Sequence, residues 1–158
     1  MLKNLSYKDP KIEKQINSLV GKEFSLIEKL KIKGTGSQKL YIKKCDNEIY
    51  DILRNDYELS ICNIELRPKG IIIYLKSNLE TYGLVIPYYK LIIFKVGDDD
   101  YTINADNYFL KIRIKNRSDH RFFKKVNSQK AIYLSDKNPW VTLYTPNYPK
   151  IIYSVVIW

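Results

Sequence analysis

Four apolar residues, Ile12, Ile16, Leu19 and Val20, recur at helical intervals between Asp9-Pro10 and Gly21. An aspartate able to accept from first-turn N–H groups, a proline at the first helical position and a glycine past the last turn bracket that stripe. The pattern predicts a short amphipathic helix over 10–20. Beyond Lys22 the period shortens to two. Phe24, Leu26 and, after a break in register, Leu30 and Ile32 alternate with polar residues and predict a strand. Gly34-Thr35-Gly36-Ser37 predicts a turn into a second strand that opens with Leu40 and Ile42.

Between Cys45 and Asp56, the residues Ile49, Ile52 and Leu53 return to helical spacing behind Asp46, predicting a short helical connection. Leu59, Ile61, Ile64 and Leu66 predict the next strand, with a bulge at Cys62-Asn63 where alternation slips. Arg67-Pro68-Lys69-Gly70 has turn chemistry, Pro second and Gly fourth, and leads into a strand through Ile71, Ile73 and Leu75 that Ser77-Asn78 breaks. One long strand is predicted over Tyr82–Val96, with Pro87 marking an edge or a bulge. Gly97-Asp98-Asp99-Asp100 and Asp106-Asn107 turn the chain into strands at Tyr101–Asn104 and Tyr108–Lys115. Ser118-Asp119 then caps a helix running from His120 towards Ile132. After Asp136 come three prolines and the apolar, β-prone run Ile151–Trp158, which predicts a C-terminal β extension over 136–158 that needs a partner strand, its own or a second copy's.

Composition agrees with a β-rich globular chain. Of 158 residues, 14 are Tyr, and hydrophobic residues make up 45 %. Such side chains fit a pleated, half-buried surface. One domain spanning 1–158 is expected. Two cysteines, Cys45 and Cys62, are too few for a disulfide scaffold, Met1 to Lys8 lacks a signal peptide's apolar run, and no apolar run approaches the ~20 residues of a membrane-spanning helix. These features lead us to expect a cytoplasmic, non-transmembrane protein.

The formal charge of +10 draws attention to polyanions. Lys111, Arg113 and Lys115 alternate with Leu110, Ile112 and Ile114, giving a strand with one apolar face and a basic ladder on the other. Arg117, Arg121, Lys124, Lys125 and Lys130 follow. A second basic group, Lys31, Lys33 and Lys39 around the Gly34–Ser37 turn, could offer positive charge and backbone N–H groups to a phosphate, although no Gly-Lys-Ser/Thr makes it a nucleotide loop. Asp98-Asp99-Asp100 lacks the ligand spacing of a calcium loop, and Cys45, Cys62 and the lone His120 form no zinc pattern, so neither metal nor cofactor is expected. One histidine among cations offers no nucleophile–base pair, which argues against an enzyme and leaves a carboxylate pair such as Glu58 and Glu65 as its only route.

Seven antiparallel strands followed by one helix resemble the pleckstrin-homology-like (PH/GRAM-like) barrel over Lys22–Ile132. Gly70-Ile71-Ile72-Ile73-Tyr74-Leu75 and Leu84-Val85-Ile86-Pro87-Tyr88-Tyr89-Lys90-Leu91-Ile92-Ile93-Phe94 are similar to strands of bacterial members, and the whole chain resembles short Bacteroidetes proteins of unassigned activity. A different seven-stranded sandwich or a lipocalin-like half-barrel would share the hydrophobic pattern. The leading helix and the Pro-rich tail depart from the barrel. The resemblance implies a mainly β fold with a C-terminal capping helix around a core at 22–133. It also implies a non-catalytic binding module for a protein or a phosphate-bearing surface, in which the first hairpin of phosphoinositide-binding members corresponds to Lys31–Lys39. Nucleic acid bound by the Lys111–Lys130 surface, with tyrosines for stacking, is the alternative partner.

Overall fold

The structure, a computed structural model, describes residues 1–54 and 60–137. Glu58, Leu59 and the predicted extension at 136–158, apart from its first two residues, lie outside them. Eight antiparallel strands form one sheet: β1 (Leu2–Asn4), β2 (Leu40–Cys45), β3 (Ile61–Arg67), β4 (Gly70–Ser77), β5 (Glu80–Pro87), β6 (Ile92–Val96), β7 (Asp100–Ala105) and β8 (Tyr108–Arg113). Four helices accompany them: α1 (Pro10–Val20), α2 (Leu26–Lys31), α3 (Asn47–Leu53) and α4 (Arg117–Lys137). The sheet order β1-β5-β4-β3-β2-β8-β7-β6 leaves the sheet open, with β1 and β6 at its edges.

The predicted caps at Asp9 and Asp46 and the turns at Pro68-Lys69 and Asp106-Asn107 form as expected. Asp9 accepts from Lys11 N at 2.8 Å, and Gly21, at φ 84°, ends α1 in a region that favours glycine. Asp46 accepts from Ile49 N at 3.0 Å and starts α3. Pro68-Lys69 turns β3 into β4, and Asp106-Asn107 turns β7 into β8.

Five expectations are corrected. Leu26–Lys31 is a helix, not a strand, because Ser25 and Glu28 make a reciprocal capping box: Ser25 N donates to Glu28 Oε2 at 2.8 Å and Glu28 N to Ser25 Oγ at 3.4 Å. The turn that follows α2 falls at Ile32-Lys33, and the predicted Gly34–Ser37 turn is instead extended chain beside β3, where Gly36 bridges Glu65, Leu66 N donates to Thr35 O and Ser37 N donates to Ile64 O, each at 2.8 Å. The predicted bulge at Cys62-Asn63 is absent: Cys62, Asn63 and Ile64 pair in unbroken register with Leu75, Tyr74 and Ile73. Cys62 is itself an inward apolar residue, so the alternation never slips. Pro87 ends β5, and a turn through Tyr88-Tyr89-Lys90, closed by Lys90 N donating to Pro87 O at 3.0 Å, divides the supposed long strand in two. Finally, α4 begins three residues earlier than expected, behind Asn116, whose Oδ1 accepts from Asp119 N at 3.0 Å.

Two layers cover the sheet. On one face, inward residues of β2–β8 (Leu40, Ile64, Ile73, Leu84, Ile103, Ile112) meet Ile49 and Leu53 of α3 and Phe122, Phe123 and Val126 of α4. On the other face, Ile72 and Val85 meet Ile16 and Val20 of α1. β4 is thus covered on both sides, which is why Ile71-Ile72-Ile73 carries three consecutive buried isoleucines where a one-sided strand would alternate. Loop 22–25 is clasped to the β3–β4 hairpin by Arg67, 6 % exposed, which lies 3.3 Å from Glu23 Oε1 and 2.9 Å from Glu65 Oε1. Tyr74 donates to the other Glu65 oxygen at 2.7 Å, and burial followed by that carboxylate pushes its phenol up to about 12.

Tyr88, 1 % exposed and tilted against Tyr133, buries a hydroxyl that has no hydrogen-bond partner among the described residues, and burial pushes its phenol far above the ordinary value. An orphaned buried hydroxyl costs stability that the same ring without it would keep. Tyr88→Phe is therefore expected to stabilise the fold by about 1 kcal/mol in urea denaturation. A loss of stability would show that the hydroxyl has a partner in solution.

Candidate anion-binding face

α4 sorts its residues by periodicity. Asp119, Phe122, Phe123 and Val126 are buried, and Phe123 stacks on Tyr101 with centroids 4.2 Å apart. At the complementary interval, Arg117, Arg121 and Lys124 occupy the opposite side of the helix and are exposed. Asp119, the only acid in this half of the helix, is turned inward and accepts from Lys115 N at 3.2 Å. It leaves the outer cations uncompensated.

The loop after α2 lies along this helix. Lys33 and Gly34 adopt φ of 56° and 86°, ending α2 in a left-handed step. Lys125 Nζ donates to both of their carbonyl oxygens, each at 3.0 Å. Further along, Ser118 Oγ donates to Gln38 Oε1 at 3.4 Å. Burial, and then the charge of Lys33, lowers the Lys125 ammonium pKa from its ordinary value. Lys125 thus works as a clasp between helix and loop and not as a free cation. Around it, Lys31 at the end of α2, Lys33 and Lys39 on the loop, and Arg117, Arg121 and Lys124 on α4 are all exposed, and among the described residues none of the six pairs with a carboxylate.

The basic ladder lies elsewhere. Leu110 and Ile112 point into the core shared with α4, so Lys111 and Arg113 face the other side of β8. Lys111 Nζ sits 3.2 Å from Asp100 Oδ2, and Lys43 Nζ sits 3.0 Å from the same oxygen. That shared carboxylate, held below its ordinary pKa first by its hydrogen bond from Lys43, offsets much of the local charge. Lys115 Nζ rests 3.4 Å from the centre of the Tyr41 ring, a cation–π contact. Lys130 donates to Leu91 O at 2.5 Å, half-buried at the far end of α4. The eleven cations picked out by sequence are therefore not one group: Lys111, Arg113 and Lys115 do not join the helix–loop cations, and Lys130 is engaged with Leu91. Sequence reasoning missed the bridging role of Asp100 between Lys43 and Lys111, which follows from strand register and not from proximity along the chain.

Other chemically suggestive residues have structural roles. Cys62 is buried, which pushes its thiol up to about 12, and Cys45 is also raised by burial. His120 packs beside Tyr101, with Nδ1 3.4 Å from its hydroxyl. Glu65 is engaged with Arg67 and Tyr74. Asp98 and Asp99 lie in an exposed turn. A surface depression of about 580 Å³ is lined by Glu48, Asp51, Ser77, Glu80 and Tyr82 among others, and its acidic lining would repel phosphate. A scan against protein-family models finds no match, and searches of curated proteins and of solved structures find no similar protein.

Proposed function

We propose that this chain is a non-catalytic binding module of pleckstrin-homology-like type that holds a phosphate-bearing surface against the outer face of α4 and the loop from Lys31 to Lys39. The observation that carries this is the pair of arrangements above: six exposed cations, on the outer side of α4 and on the segment clasped to it, that pair with no carboxylate among the described residues, against a ladder whose charge is shared with Asp100. Solvated cations that no acid offsets raise the local concentration of anions and exchange their counterions on binding. Support for the barrel type comes from connectivity. Two meanders, β2-β3-β4-β5 and β6-β7-β8, meet side by side at β2 and β8, and a helix then crosses the core. β1, α1 and α2 are additions to that plan.

Single-stranded nucleic acid draws less support, because the exposed tyrosines with the largest free area, Tyr7, Tyr50 and Tyr89, belong neither to α4 nor to the loop, and Tyr41 is covered by Lys115. The test is a titration with fluorescent polyphosphate at low salt. Arg117→Glu/Arg121→Glu/Lys124→Glu is expected to weaken binding at least about tenfold and to flatten the salt dependence, whereas Arg113→Glu on the ladder should change it about twofold or less. Equal affinity of the triple variant and the parent would overturn the assignment.

A further inference from the structure

α2 has no buried residue, and three of its six side chains are large and apolar: Leu26 is 80 % exposed, Ile27 68 % and Leu30 79 %. Their spacing puts them on one side of the helix. Such a contiguous patch marks a surface that is covered in use. It is also held in place. The Ser25–Glu28 capping box fixes the start of the helix, Lys29 Nζ lies 3.3 Å from Glu23 Oε2, Phe24 packs on the main core, and Lys125 grips the carbonyls that close its end. The patch is therefore presented on a braced support instead of on a free loop.

What surrounds the patch identifies its occupant. Lys31 and Lys33 follow immediately, and the clasp through Lys125 brings the C-terminal end of α2 to the flank of α4, which carries Arg117, Arg121 and Lys124. A folded protein surface could supply an apolar cover, but a cover flanked by so many unpaired cations must be apolar within and anionic at its margin. A bilayer containing anionic lipid has that profile: acyl chains just beneath a negatively charged headgroup layer. We infer that α2 is a membrane-docking wedge, with Leu26, Ile27 and Leu30 entering the headgroup–acyl boundary while the helix–loop cations hold the lipid phosphates. This rests on the anionic-surface assignment above and names the surface as a membrane.

The decisive experiment is flotation of the full chain with vesicles of phosphatidylcholine alone and of phosphatidylcholine with 30 % phosphatidylserine (a ratio chosen for the assay, about that of strongly anionic membranes), with polyphosphate titration run in parallel. The parent is expected to float with the anionic vesicles only. Leu26→Ser/Ile27→Ser/Leu30→Ser should reduce flotation about tenfold while leaving polyphosphate affinity unchanged. A Leu30→Cys variant carrying an environment-sensitive fluorophore should shift to the blue when anionic vesicles are added. Undiminished flotation of the serine variant, or a label that stays in water on bound vesicles, would overturn the wedge. So would a serine variant that loses only self-association, which would assign the patch to a second copy of the chain. Failure of the underlying assignment looks different: the charge-reversal variant would then keep its polyphosphate affinity.

Discussion

Gly70→Ala is expected to cost at least about 3 kcal/mol, a large share of the 5–15 kcal/mol that holds an ordinary domain together. Gly70 opens β4, paired across the ladder with Pro87. A methyl group there would run into the backbone oxygen of Ile86, and it would meet Val20 Cγ1 at 2.6 Å and Pro87 Cα at 2.8 Å. Two of those three obstacles are main chain of the neighbouring strand, which cannot rotate aside as a side chain can. Relief requires β4 and β5 to separate, or α1 to lift off through Val20. Gly83→Ala provides the contrast. Its added methyl meets chiefly the tip of the Leu5 side chain, with Ile72 Cγ2 at 3.5 Å. Leu5 can change rotamer, so a loss of about 1 kcal/mol or less is expected. Urea denaturation of the two variants checks both values. Equal costs would show that the crowding at Gly70 relaxes in solution.

Phe123→Ala is expected to cost about 3–5 kcal/mol. Phe123 is fully buried, stacks on Tyr101 and meets Phe122 edge to face at 6.3 Å. Removing the ring empties the centre of the helix–sheet seam, and the eight-stranded sheet cannot collapse into the space without disturbing its ladders. Because α4 also carries Lys125, loosening the helix should release the loop at Lys33 and Gly34 as well. Amide exchange at Leu66, whose N–H donates to Thr35 O at 2.8 Å, should therefore rise along with exchange in α4. Protection at Leu66 that survives the substitution would show that loop and helix are independent.

Local signals were legible wherever cap, period and stop agreed, as they do between Asp9 and Gly21 and around Asp46. The misreading at Leu26–Lys31 shows how a weaker cue can decide. Leu26, Leu30 and Ile32 fit a slipped strand as well as a helix, but Ser25 and Glu28 stand at capping-box spacing, and only a helix satisfies both. The three residues of β1 are too few to show any periodicity. Within the candidate site, the stripe Arg117, Arg121 and Lys124 can be read from spacing alone once the helix is known. What spacing cannot show is which cations are already engaged. Lys111 meets Asp100 from a neighbouring strand, and Lys125 meets two carbonyls from a segment far away along the chain.

The placing of β1 at one edge and of β2 beside β8 also shapes how the chain reaches this fold. β3, β4 and β5 pair through tight turns, as do β6, β7 and β8, so each meander can form from contacts close along the chain. Joining them requires Ile42 to find Ile112, and completing the edge requires Leu2 to find Leu84. Those encounters carry the loop-closure entropy of most of the domain before any contact repays it. Pairing at the seam between the meanders is therefore expected to limit the rate of folding. A chain emerging from synthesis must hold one edge of β2 unpaired until β8 has been made.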